Sequence, residues 1–298
     1  MSLRLRLRDR VLELRVGEPL VMGIVNASPE SFSDGSRVGD LDTQVELALR
    51  LREVGADLID VGGESGVTDR PPIDPAEEAA RVVPLVERLA AAGVAVSVDT
   101  WKAGVANAAV EAGAAMINDV SGLIDLGVAD ACAASGAALV VMHTRARPKQ
   151  KEFPGYDDVV ADVVAFLRER IAAARERGVA EDQIAIDPGP DFAKTPAETV
   201  EALRRLTELQ VLGRPVLLAA SRKDFVGAIN GRGPGERLAG TLAAVGEGVD
   251  AGATIVRVHD VAATRDFLAV RAALRGEREV PPELRLDAAL RRAPEGGS

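Results

Sequence analysis

Short apolar runs that end in polar residues alternate with longer segments rich in Ala, Leu, Glu and Arg along most of the chain. The runs are LVMGIVN (20–26), DLIDVGG (57–63), VAVSVD (94–99), AMINDV (115–120), ALVVMH (138–143), IAIDPG (184–189), PVLLAAS (215–221) and TIVRVH (254–259). Each has the length and apolar content of a strand buried on both faces. The intervening segments, at about 43–54, 76–92, 102–112, 126–135, 157–177, 196–210, 235–250 and 261–275, carry apolar residues at helical spacing. DP at 74–75 and TP at 195–196 each supply a capping residue followed by proline at the first helical position. The glycines of VGAD (54–57), EAGA (111–114) and DAGAT (250–254) mark helix ends that lead into strands. Eight such units predict an α/β fold closed as a (β/α)8 TIM barrel, whose usual length of about 250 residues agrees. The competing arrangement, an open doubly wound sheet, calls for a Gly-rich phosphate loop after its first strand. The sequence has none there.

The N-terminal MSLRLRLRDRVLELRV alternates Leu with Arg at period two, a pattern unlike a signal peptide. It predicts a two-stranded hairpin within residues 1–18, turning near Asp9 and packing on the bottom of the barrel. The barrel is assigned to 19–280. The tail, 281–298, ends in RRAPEGGS and is expected to be partly disordered.

Composition narrows the function. The apolar fraction of 47% is ample for a core, whereas the 3% of aromatics is too low for a surface that stacks single-stranded nucleic acid. A net charge of −10 opposes DNA, RNA and anionic membranes. It leaves open a small anionic ligand, because a local cluster of cations overrides the mean. The single Cys132 excludes an internal disulfide and fits a reducing, cytoplasmic compartment. No apolar run approaches the roughly 20 residues that span a bilayer.

The candidate chemistry lies at the ends of the predicted strands, which form the active face of such barrels. Those ends read Asn26, Glu64, Asp99, Asn118 with Asp119, His143, Asp187, Ser221 with Arg222 and Lys223, and Arg257 with His259. Arg257 and His259 are two apart and so share a strand face. Polar groups at all eight ends predict a binding site at one mouth. Asp99, Asn118 and Asp187 suit a flat heterocycle that presents N–H and amino groups. Arg257, His259 and Lys223 suit an oxyanion such as phosphate or diphosphate, helped by N–H donors of the βα loops. Plainer readings stand beside these: Asp99 and Asp187 as caps of the following helices, Arg257 in a salt bridge to Asp260 or Glu247, and His143 as a hydrogen-bonded strand end. There is no metalloprotease-like His pair, zinc-spaced Cys set or Walker loop. Cys132 reads as core. A hard divalent ion bound to diphosphate, with Asn26 as one protein ligand, fits the residues better.

MGIVNASPESFSDG (22–35) resembles the signature of dihydropteroate synthases, whose usual form is Asn-Val-Thr-Pro-Asp-Ser-Phe-Ser-Asp-Gly. DVGGES, SVDTWKA, INDVSG, the Met-His pair, the DPG and KT segments, SRK, ERLAGTLAA and VRVHDVAATRD follow in the family's order, from about residue 20 to 275. The resemblance implies a (β/α)8 barrel, usually a homodimer, that joins 6-hydroxymethyl-7,8-dihydropterin diphosphate to p-aminobenzoate in folate synthesis. It implies that Asp99, Asn118, Asp187 and Lys223 bind the pterin, with Met142 and Phe192 lining its pocket. Asn26, Arg257 and His259 would hold the diphosphate, Asn26 through Mg2+. Phe32, Ser221 and Arg222 would border the aminobenzoate site. Asp99, Lys223, Arg257 and His259 would carry the reaction, in which diphosphate departs before the amine attacks.

Two segments depart from the family pattern. After GGES the family has Thr-Arg-Pro-Gly, whereas here Gly66 and Val67 stand at the Thr-Arg pair and the next arginine is Arg70. Pro190 and Asp191 replace a Gly-rich stretch, adding a negative charge beside the pterin pocket. This pattern resembles the second synthase-like paralogue of some actinobacteria. A pterin-binding paralogue without the activity, regulatory or partner-supporting, is therefore the alternative reading, followed by a pterin-dependent methyltransferase-type barrel.

Overall fold

The Leu-Arg alternation at the start of the chain folds into two antiparallel strands, β1 (Leu3–Leu7) and β2 (Arg10–Leu14). The structure is a computed structural model that describes residues 3–27, 40–66, 68, 71–287 and 290. The end of the tail, 291–298, lies outside the described residues. One face of the hairpin points Leu5, Leu7 and Leu14 into an apolar cluster shared with Met22, Leu58, Met116, Leu217 and Ile255. The other edge is tied down by Arg6, which pairs with Asp182 at 2.9 Å, and by Arg8, whose Nη1 donates to the Val110 carbonyl at 2.6 Å. The hairpin thereby plugs the N-terminal end of an eight-stranded barrel.

The parallel strands of that barrel are β3 (Leu20–Asn26), β4 (Leu58–Gly62), β5 (Val96–Asp99), β6 (Met116–Asp119), β7 (Ala138–Met142), β8 (Ile184–Asp187), β9 (Leu217–Leu218) and β10 (Ile255–Val258). Their order in the sheet is β8-β7-β6-β5-β4-β3-β10-β9, and a parallel bridge between Ile186 and Val216 joins the two ends. The barrel expected from the sequence is the one observed. The helices on its outside are α1 (Leu41–Glu53), α2 (Pro75–Ala91), α3 (Ala103–Glu111), α4 (Gly127–Ser135), α5 (Val159–Glu176), α6 (Pro196–Arg204), α7 (Asp224–Asn230), α8 (Leu238–Asp250) and α9 (Val261–Leu274).

The expected caps are in place. Asp74 accepts from the Ala76 N–H, and Thr195 and Glu198 cap α6 reciprocally. Gly55, Gly113 and Gly252 take φ near +110°, +109° and +101° at the turns out of α1, α3 and α8. Three differences have local causes. β9 begins after Pro215, which has no N–H to give a ladder, and covers only Leu217–Leu218 of the PVLLAAS run. α7 is an additional helix, hidden in the sequence by Gly227 and by its seven residues. α6 ends at Arg204 and continues as a 3-10 segment over Leu206–Leu212, closed by Gly213 at φ +62°.

Alternation along the strands separates two apolar layers and sets up the mouth. Val21, Ile59, Val96, Val98, Ile117, Leu139, Ile186, Leu218 and Val256 point outward onto the helices. Their burial stabilises by about 1.5–3 kcal/mol per large side chain. The inward positions are apolar at the plugged end, from Met22, Leu58, Met116 and Ile255. Two residues further along three of these strands they turn polar: Asp60, Asn118 and Arg257. No helix among the described residues is long and apolar enough to cross a membrane.

Candidate active site

The polar inward positions open into a cavity of about 540 Å³ at the C-terminal ends of the strands. Asn26, Asp99, Asn118, Met142, Asp187, Phe192, Arg222, Lys223, Arg257 and His259 all line it. Ser221 stands just behind the wall, with its Oγ 2.9 Å from His259 Nδ1 and accepting from the His259 backbone N–H at 3.2 Å. It orients the imidazole rather than facing the cavity. Phe32 lies outside the described residues, as do Val67 and Arg70, whereas Gly66 and Thr68 line the cavity.

Not every strand end faces the mouth. Asp119 succeeds the inward Asn118 and so points outward, where it accepts from the Ser121 N–H and hydroxyl, both at 2.6 Å. His143 succeeds the inward Met142 and is likewise turned away and fully buried. Its Nε2 meets Asp162 of α5 at 2.8 Å and its Nδ1 meets Lys194 Nζ at 2.7 Å. Burial beside Lys194 drives the imidazole down to about 3, so it is neutral. The eightfold convergence expected from the sequence therefore fails at these two residues, because one step along a strand reverses the face.

Asp99 does not cap α3, whose N-terminal flanking residue is Lys102 without a side-chain cap. Nor does Arg257 pair with Asp260 or Glu247. Its Nε donates to Asp60 Oδ2 at 2.6 Å and its Nη2 to Asp99 Oδ2 at 2.9 Å, while Asp260 takes Arg222 at 3.0 Å. The anion half and the heterocycle half are thus in direct contact through Arg257. Asp187 serves twice: it lines the cavity, and its Oδ1 accepts from the Gly189 N–H at 2.7 Å.

Burial governs the charges here. It pushes the Asp99 carboxyl up to about 7, against the pull of Arg257 and with a further push from Asp60. It lifts Asp187 to about 6, opposed by the Gly189 N–H and by Lys223. It lowers the Lys223 ammonium, which Asp191 and Asp187 pull back up, and Lys223 Nζ stands 4.2 Å over the Phe192 ring. A raised carboxyl contributes stability below its unfolded value near 4, and that contribution is lost as pH rises through its folded value. Binding runs the other way, since only the ionised carboxylates accept two N–H bonds. Affinity for a pterin-like heterocycle should therefore climb between pH 5 and pH 8, with inflections near 6 and 7. Calorimetric titration across that range measures it, and a flat profile would exclude the carboxylates as acceptors.

The site also draws on residues that sequence reasoning missed. Asp60 is inconspicuous inside DLIDVGG, although an acid two residues before a strand's end is an inward position. Glu64, by contrast, is one of the strand-end residues the sequence picks out; it lines the cavity and is held by Lys102 at 2.7 Å and Lys149 at 3.2 Å, two partners the sequence does not announce, and Lys102 also reaches the buried Glu78 at 2.6 Å. This network joins the segment after β4 to the segment after β7, from which Ala146, Pro148, Gln150 and Phe153 add to the cavity wall. Asp191, the added charge at the pocket, is engaged: its Oδ2 accepts from the Phe225 N–H at 3.2 Å and its Oδ1 from the Thr199 hydroxyl at 3.3 Å. Arg237 Nη1 donates to the carbonyls of Arg222 and Lys223 at 2.9 and 3.2 Å, fixing the segment that carries both side chains.

Lys194 holds the segment after β8. Only 1% exposed, it donates to the carbonyls of Gly189 and Phe192 at 3.0 and 3.1 Å, and burial lowers its ammonium to about 7. Gly189 in the same turn has φ +66°, and a Cβ there would lie 2.1 Å from the His143 carbonyl oxygen. Gly189→Ala should lower stability by about 1–3 kcal/mol and weaken heterocycle binding through the displaced Asp187. A melting curve and a binding titration check both effects.

Comparison with known proteins bears on this geometry. The family described as pterin binding enzyme matches residues 22–259. Dihydropteroate synthase of Bacillus subtilis is 43% identical over 244 residues, covering 81% of this chain and 84% of that protein. A probable bifunctional folylpolyglutamate synthase/dihydropteroate synthase of Haloferax volcanii is also 43% identical over 244 residues, but the chain spans only 29% of its length. Among solved structures, Xanthomonas albilineans dihydropteroate synthase with 4-aminobenzoic acid superposes with a TM-score of 0.85 at 44% identity, covering 94% of this chain and all of that one.

Proposed function

Because the chain belongs to the dihydropteroate synthase family of pterin-binding enzymes, we propose that it condenses 6-hydroxymethyl-7,8-dihydropterin diphosphate with p-aminobenzoate, giving 7,8-dihydropteroate and diphosphate. The observation that carries this reading is the single cavity in which Asp99, Asn118, Asp187 and Lys223 stand beside Arg257 and His259. The carboxylates of Asp99 and Asp187 accept from the N–H and amino edge of the pterin, Asn118 adds an amide, and Lys223 and Phe192 bound its face. Arg257 and His259 hold the diphosphate, with Ser221 fixing the imidazole.

The pterin methylene carbon loses its bond to diphosphate oxygen, and the electron pair leaves with the diphosphate. The developing negative charge meets Arg257 and His259. The electron-rich pterin, aligned by Asp187 and Asp99, spreads the positive charge left behind. The aminobenzoate nitrogen then bonds to that carbon and releases a proton. No protein nucleophile is needed. Phe32 and Arg222 are assigned to the aminobenzoate side by the family resemblance, and Arg222, held by Asp260, supplies a cation there for the carboxylate.

We further propose Mg2+ as the cofactor. Diphosphate and water would supply most of its ligands. Asn26 would be its protein ligand. Asn26 ends β3 and lines the cavity, which places its amide at the mouth. When bound, the ion would neutralise charge on the leaving diphosphate. A homodimer is implied by the family resemblance, and the exposed Val270 and Leu274 of α9 offer apolar surface for it. Cytoplasmic residence is supported by Cys132, a buried free thiol.

The deciding assay supplies pterin diphosphate, p-aminobenzoate and Mg2+ and monitors both diphosphate release and dihydropteroate. Turnover to both products is expected. Pterin binding without turnover would instead favour the paralogue reading, which the Gly66-Val67 pair at the family's Thr-Arg position motivates.

A further inference from the structure

Asp60 lies outside the cavity lining, yet the two halves of the site meet on it. It is the third residue of β4, on the inward face, and it is fully buried. Its Oδ2 accepts from Arg257 Nε at 2.6 Å and from Asn118 Nδ2 at 3.3 Å. Its Oδ1 has no hydrogen-bond partner among the described residues. In the sheet, β10 is separated from β4 by β3, and β6 from β4 by β5, so these contacts cross the barrel interior rather than run between neighbouring strands.

A guanidinium is a planar fork with two usable edges. In Arg257 the Nε edge is fixed on Asp60, whose side chain is 0% exposed, and the Nη2 end rests on Asp99, whose side chain is 22% exposed. The two carboxylates are therefore unequal. No ligand reaches Asp60, whereas Asp99 lines the cavity and is the acceptor assigned to the heterocycle. An anion arriving beside Arg257 competes with Asp99 alone.

We infer that Asp60 is a positioning residue that couples the heterocycle subsite to the anion subsite. It anchors Arg257 by Nε while Nη2 transfers from Asp99 to the incoming anion, which frees Asp99 for the heterocycle and keeps Asn118 aligned. The inference rests on the assignment of the two subsites made above. A buried ion pair that only stabilised the barrel would give no such coupling. With it, each ligand strengthens the other by the same factor.

Calorimetry of the full chain with 6-hydroxymethylpterin, with and without saturating inorganic diphosphate and Mg2+, reads the coupling directly. Diphosphate should tighten pterin binding to the wild-type protein by about tenfold. In Asp60→Asn, which keeps the size of the side chain, the enhancement should fall below about twofold, with cooperative melting showing that the variant is folded. Arg257→Lys keeps the charge but has no second edge, and its enhancement should vanish too, which tests the fork if the Asn variant does not fold. Equal coupling in wild type and variants overturns the inference. So does an uncoupled wild-type protein that binds both ligands and turns over, and in that case the proposed function stands. A wild-type protein that binds neither ligand overturns both.

Discussion

Asp187→Ala is expected to weaken pterin binding by about 100- to 10,000-fold, since two charge-assisted hydrogen bonds worth roughly 1.5–3 kcal/mol each are lost. The carboxylate is 2% exposed and sits at the end of β8, where the turn through Gly189 aims it into the cavity. Asp187→Asn keeps the bond from the Gly189 N–H and loses the charge, so its loss should be smaller, about 10- to 100-fold. The ranking separates ligand contact from turn support: a turn role predicts that Asn restores wild-type affinity. Direct titration with 6-hydroxymethylpterin decides between them. An Asn variant that binds as the wild type does would remove Asp187 from the pterin contacts.

How much of this site is readable in the sequence depends on whether a residue's partner is local. The barrel is legible because each strand carries its own signal and each helix its own cap, as Asp74 and Thr195 show. Asp99, Asn118, Asp187 and Arg257 are legible because a polar residue at the end of an apolar strand has few places to go. His143 and Asp119 mislead although alternation from Val140 and Met116 fixes their face: the run ALVVMH ends on His143, but Met142 is the inward residue. Asp60 and Lys194 escape notice for a different reason. Asp60 meets Arg257 across 197 positions of sequence, and Lys194 meets His143 across 51. Such pairings exist only once the barrel closes, and no local pattern announces them. The same closure explains why two halves that read as separate in the sequence share one arginine.

That sharing alters what loss of Arg257 should do. If Arg257 served the anion alone, its removal would weaken diphosphate binding and leave free pterin binding nearly intact. Here Arg257→Ala strands two carboxylates, Asp60 at 0% and Asp99 at 22% exposure, which it now bridges at 2.6 and 2.9 Å. Breaking a buried pair from one side costs about 3–5 kcal/mol, a fall in Tm on the order of 10 °C for a chain of this size. Without the guanidinium, Asp99 also moves above its present value of about 7, because Arg257 lowers it more than Lys223, the other cation that does so. At neutral pH it is then largely protonated and accepts poorly from the heterocycle. Pterin affinity in the variant should drop at pH 7 and recover as the solution is made more alkaline, while diphosphate affinity stays low at every pH. Differential scanning calorimetry and pterin titrations at pH 7 and above measure both effects. An unchanged Tm together with unchanged pterin affinity at pH 7 would show that Arg257 is not the bridge between the two halves.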